Sequence, residues 1–72
     1  MGGYIMPAVQ ITILPQSLEK KTEMSKVITD EINRITGIPK EAIVIAFYEL
    51  PAENFATNGE MLSEQFKRLH SK

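Results

Sequence analysis

Apolar and polar positions alternate near the start of this chain. Val9, Ile11 and Ile13 fall on one side of a two-residue period, and Ala8, Gln10, Thr12 and Leu14 on the other. That period, carried by β-branched residues, predicts a strand over residues 7–14. Pro7 suits its first position, where a missing N–H costs least, and Pro15 stops it. The period then lengthens. Met24, Ile28, Ile32 and Ile35, with Val27 beside them, recur at helical spacing, while Lys20, Glu23, Lys26, Asp30 and Arg34 fall largely on the outer side. Ser17 is a candidate N-cap and Gly37 a candidate left-handed stop, so a helix is predicted over Leu18–Thr36. Glu23 and Lys26 form an i, i+3 pair on its surface.

Pro39 opens a single short turn, and residues 43–50 form a second strand. Its first five residues are continuously apolar, which suits a strand buried on both faces. Asn58-Gly59 lies between residues 55–57 and 60–62. Asn-Gly favours a type I′ hairpin, whose two central residues both need positive φ. In the tail, Leu62, Phe66 and Leu69 follow helical spacing, and their apolar stripe needs a partner.

Strand, long helix and strand make a β-α-β unit. The predicted fold is therefore α/β (α+β): a β-α-β protomer with a C-terminal β-hairpin. Such a protomer has open sheet edges, which are templates for another chain, and its one helix covers one face only. At 72 residues a single domain is expected, too small to be held comfortably by its own core. There is no cysteine and only one histidine, so neither a disulfide nor a usual zinc site can staple it. Oligomerisation remains, and 43% hydrophobic residues suffice for a core and an interface. Residues 1–6 are expected to be a leader or extension, residues 7–63 the domain and residues 64–72 a tail.

Charge narrows the partners. Eight basic and nine acidic residues are interspersed, with a formal net charge of -1, which disfavours a nucleic-acid footprint. No apolar run approaches the roughly 20 residues that span a bilayer. Residues 1–5 lack the basic and apolar regions of a signal peptide. A cytoplasmic protein without nucleic-acid or membrane partners is expected.

Most of the polar residues carry no distinctive chemistry. His70 lies in a polar tail, and the helix carboxylates follow surface spacing. No glycine-rich phosphate loop is present, and Tyr48 and Glu49 line either a pocket or an interface rim. Pro7 is the exception. Initiation at Met6 followed by methionine removal would leave its nitrogen a secondary amine. A free α-amino group has a reference pKa of about 7.7–8.0. Apolar surroundings or a nearby cation lower it, so the amine can serve as a general base. The alternative is that Pro7 only begins a strand.

Met6-Pro7 before the strand Ala8-Val9-Gln10-Ile11-Thr12-Ile13-Leu14, then the helix, residues 43–50 and the segment from Glu49 to Glu60, resembles the 4-oxalocrotonate tautomerase family. The likeness covers residues 6–63. It implies a tautomerase-like protomer whose sheets are completed by oligomerisation, as dimers and commonly as dimer-based hexamers. It also implies an isomerase that moves a proton through an enol or dienol of a small carbonyl compound, without cofactor or metal. By motif match Pro7 is the catalytic base, Phe55 an aromatic pocket wall and Leu14 a second substrate-binding residue. The family's best-known members hold their substrate with two arginines. Here the loop after strand one is Pro15-Gln16-Ser17, without a basic residue, and the second arginine position corresponds to Val44. Lys20, Lys21 and Arg34 are the candidate substitutes, and a less charged, more apolar substrate is expected. With Met6 still bonded to it, Pro7 is an amide, and the chain is then a non-catalytic oligomer of the same fold, acting as a binding or structural subunit.

Overall fold

The computed structural model describes residues 6–70; residues 1–5 of the expected leader and the last two residues of the tail lie outside this range. Strand β1 spans Ala8–Ile13, one residue shorter at each end than the alternation predicts. Pro7 contributes only its carbonyl, which accepts the Val44 N–H at 3.0 Å, and the Ile13 carbonyl accepts the last rung from Leu50 N–H at 3.1 Å.

Helix α1 runs from Leu18 to Thr36 as predicted. Ser17 Oγ accepts the Lys20 N–H at 3.2 Å, satisfying one of the amides that a helix start leaves unpaired. Gly37 has φ 76, and its N–H returns to the Asn33 carbonyl at 2.8 Å. The surface pairing differs from expectation. Lys26 reaches Asp30 at 3.8 Å rather than Glu23, and Asp30 also holds Lys40 at 2.9 Å. The inward stripe is also narrower. Met24, Ile28 and Ile32 are half-buried, but Val27 and Ile35 are 56% and 68% exposed. Two strands are only about 5 Å apart, so this sheet is too narrow to cover the flanks of a helical stripe.

After a single 3-10 turn at Lys40–Ala42, strand β2 (Val44–Glu49) pairs parallel with β1, from Ala8↔Val44 to Ile13↔Glu49. Val9, Ile11, Ile13, Ile45, Phe47 and Glu49 share the helix-side face. Phe47 meets the first turns of α1, and Glu49 is bonded to Lys21. Ala8, Gln10, Thr12, Val44, Ala46 and Tyr48 share the other face. Here the expectation of a strand buried on both faces is corrected: Val44 is 38% and Tyr48 48% exposed, because one helix covers one face.

The chain leaves β2 through a second 3-10 turn, Ala52–Asn54, and forms the predicted hairpin. Its strands β3 (Ala56–Thr57) and β4 (Glu60–Met61) are antiparallel. Asn58 and Gly59 have φ of 54 and 79, the pair of positive values that type I′ requires. Helix α2 (Leu62–His70) follows at once. It folds back on the hairpin: Gln65 Nε2 donates to Thr57 Oγ1 at 2.9 Å and to the Glu60 carbonyl at 3.0 Å, and Arg68 pairs with Glu60. Leu62 is half-buried there, but Leu69 is 70% exposed, so the α2 stripe is only partly covered within the protomer.

Among the described residues one hydrophobic side chain, Ile43, is buried. The radius of gyration is 16.8 Å, against about 11 Å for a compact chain of this length. Among the described residues each sheet has two strands with free edges, and two-stranded sheets are marginal in water. Two such small sheets need oligomerisation to complete the fold. No helix among the described residues is long and apolar enough to cross a membrane, and no group of His, Asp or Glu is gathered that could hold a metal ion.

Candidate active site

Pro7 stands where β1 begins, because a residue without an N–H can supply the first carbonyl of a ladder but not continue it. The register sets Ala8 beside Val44, and one step back sets Pro7 opposite Ile43. Pro7 therefore lies at the end of the sheet beside the buried Ile43 and the exposed Val44. These neighbours are apolar.

Leu14 lies at the other end of β1. The six residues of β1 separate it from Pro7, seven steps of about 3.3 Å or about 23 Å. Its carbonyl accepts from Gln16 Nε2 at 3.0 Å. The turn before Phe55 leaves β2 at that same far end. Phe55 is half-buried; its N–H donates to the Ala52 carbonyl at 3.3 Å, and its carbonyl accepts from Leu62 N–H at 2.8 Å. Pro7 and Val44 are thus brought together, whereas Pro7 and Leu14 are held apart within one protomer.

A polar cluster closes the Leu14 end. Glu49 accepts the Gln16 N–H at 2.7 Å and the Lys21 ammonium at 3.2 Å. The Gln16 amide, and after it Lys21, hold the Glu49 carboxyl below its ordinary value. Sequence reasoning did not find this cluster. Lys21 and Glu49 are 28 residues apart, and no local period links them; only the parallel register brings the end of β2 to the first turn of α1. Nearby, Leu18, Thr22, Ser25, Phe47 and the candidate cation Lys21 line an open hollow of about 340 Å³, whose lining does not include Pro7, Leu14 or Phe55. On the open sheet face Gln10 Nε2 approaches Tyr48 Oη at 3.4 Å.

Of the candidate cations, Lys21 is bonded to Glu49, and Arg34 is bonded to both oxygens of Glu31, the shortest contact being 2.7 Å. Among the described residues Lys20 has no ion-pair partner.

The Tautomerase enzyme family model matches residues 7–65. A probable tautomerase of Streptococcus thermophilus is 33% identical over 57 residues, covering 78% of this chain and 93% of that one. Among solved structures, a 4-oxalocrotonate tautomerase homologue (TTHB242) is 28% identical with a TM-score of 0.75, over 82% of this chain and 95% of that one. A heterohexamer 4-oxalocrotonate tautomerase from Chloroflexus aurantiacus J-10-fl shares the fold with a TM-score of 0.76 at 22% identity, over 82% and 97% of the two chains. By the extent of these matches and the strand, helix and hairpin order just described, the chain belongs to the tautomerase family.

Proposed function

We propose that the protein is a tautomerase-like isomerase of small carbonyl compounds, with the Pro7 nitrogen as general base once Met6 is removed. The observation that carries this reading is the position of Pro7 at the apolar end of the sheet, beside Ile43 and Val44. The family match also begins at Pro7. In such surroundings the charged ammonium is disfavoured, so the amine is available as a base near neutral pH. It takes the proton of an enol hydroxyl, the carbonyl forms, and the carbon end of the former double bond receives a proton from the resulting ammonium. The reaction is an isomerisation, without cofactor, metal or net redox change. Residues 7–63 form the working unit, residues 1–6 a removable leader and residues 64–72 a tail. Leu14 and Phe55 wall the pocket from a neighbouring copy in a homo-oligomer, a dimer-based hexamer. A cysteine-free chain suits the cytoplasm.

The test is ketonisation of phenylenolpyruvate by protein beginning at Pro7, against Pro7→Ala. Loss of a general base lowers the rate by about 10²–10⁴-fold. Equal rates rule the mechanism out.

One observation favours a second reading. In the chain as it stands, Met6 is bonded to the Pro7 nitrogen, which is then an amide without basic character. The protein is in that case a non-catalytic binding or structural subunit of a tautomerase-fold oligomer. The intact mass of protein made from its own gene separates the two: a chain beginning at Pro7 supports the first reading, and one retaining Met6 the second.

A further inference from the structure

We propose that the substrate of the Pro7 site is an uncharged enol or enone, a carbonyl compound carrying no free carboxylate. This rests on the tautomerase reading of Pro7 and names the substrate class of that site.

Three observations carry it. First, the side chains beside Pro7 in the ladder are those of Ile43, Val44 and Ala8, none of which can pair with an anion. The first polar side chain along the open face is Gln10, opposite Ala46, and its amide is directed to Tyr48 Oη. Second, the cations that flank this end of the sheet are already engaged. Lys40, in the turn leading into β2, is 2.9 Å from Asp30, and Arg34, in the last turn of α1, chelates Glu31. Third, at the Leu14 end the chain supplies its own anion. The Glu49 carboxylate already occupies the Gln16 N–H, in the loop after β1, and the Lys21 ammonium, in the first turn of α1, two donors that a ligand carboxylate would seek at that end.

A neighbouring copy of a homo-oligomer brings the same set of side chains, and the remaining described cations are also engaged within the protomer. Lys26, Lys67 and Arg68 are bonded to Asp30, Glu64 and Glu60. Among the described residues, Lys20 is the one lysine or arginine without an ion-pair partner. Each surface pair is individually weak. A ligand carboxylate must nevertheless displace a carboxylate already in place, and gains little by the exchange. Left unpaired against Val44 and Ile43, it would lose its hydration without compensation. An ester, ketone or aldehyde suffers no such loss.

The experiment compares pairs differing only in charge. Binding of phenylpyruvate and of its methyl ester to the full chain is followed by NMR at the Ala8 and Val44 amides, in a salt series from about 0.02 to 0.5 M. Ketonisation of phenylenolpyruvate and of its methyl ester is measured on protein beginning at Pro7. The ester is expected to bind at least as tightly as the acid, independently of salt, and to have the higher kcat/KM. Val44→Arg is expected to reverse the order, raising the acid-to-ester ratio roughly tenfold or more. Acid binding tenfold tighter than the ester, weakening steeply with salt, overturns the proposal even if Pro7 catalyses. So does the absence of any ester-induced shift at millimolar concentration. Ester binding without ketonisation, or with equal rates in Pro7→Ala, sinks the role of Pro7 and leaves the substrate class standing.

Discussion

Dilution should unfold this protein. The chain exposes 5557 Å², whereas a compact monomer of 8.1 kDa exposes about 4,500 Å². The excess of about 1,000 Å² is close to the roughly 800 Å² that one partner buries in a standard interface. If about 60% of it is apolar, its burial contributes on the order of 15 kcal/mol per protomer before the costs of association. With Ile43 the one buried hydrophobic side chain among the described residues, that interface contribution carries the fold, and unfolding and dissociation become one event. Each tenfold dilution then removes about 0.7 kcal/mol per protomer from a dimer and about 1.1 kcal/mol from a hexamer. For a domain of this length that lowers Tm by about 3–8 °C. Circular-dichroism melts at about 1, 10 and 100 μM, with sedimentation velocity on the same samples, measure it. A Tm that stays constant across the series, with monomer mass throughout, would refute the reasoning.

Two further outcomes follow from local geometry. Gly59 has φ 79 and its added Cβ would meet nothing within 4 Å, so Gly59→Ala should cost about 1–2 kcal/mol from backbone conformation alone. A urea midpoint unchanged from the parent would show that the hairpin does not contribute to cooperative unfolding. Acid should destabilise the protein. Arg68 holds the Glu60 carboxyl below its ordinary 4.5, the Gln16 amide and Lys21 do so for Glu49, and Lys40 holds Asp30 below 3.8. Groups with depressed folded pKa values contribute stability that is fully present above the unfolded values and is lost as pH falls through the folded ones. Urea midpoints should therefore be level above about pH 5 and fall below about pH 4.5. Glu49→Gln should flatten part of that fall, and an unchanged profile would exclude Glu49 from it.

Local signals were legible wherever they acted within a few residues. Alternation from Ala8 to Ile13, the Ser17 cap, the Gly37 stop and the Asn58-Gly59 turn each fixed an element, because backbone conformation and capping depend on near neighbours. The candidate base was legible for the same reason: Met6-Pro7 directly precedes a strand. The surroundings of that base were not. Nothing in the spacing of residues 7, 43 and 44 shows that Pro7 meets Ile43 and Val44; the parallel register does. The same register joins Lys21 to Glu49 and ties up the loop amide of Gln16. It also leaves Leu14 at the opposite end of the strand from Pro7. The sequence by itself determined the elements, their order and the one nitrogen with unusual chemistry. Tertiary structure decided which faces remain bare and which cations are spoken for, because charge pairing and burial depend on distance in space, and a 19-residue helix separates the two strands along the chain.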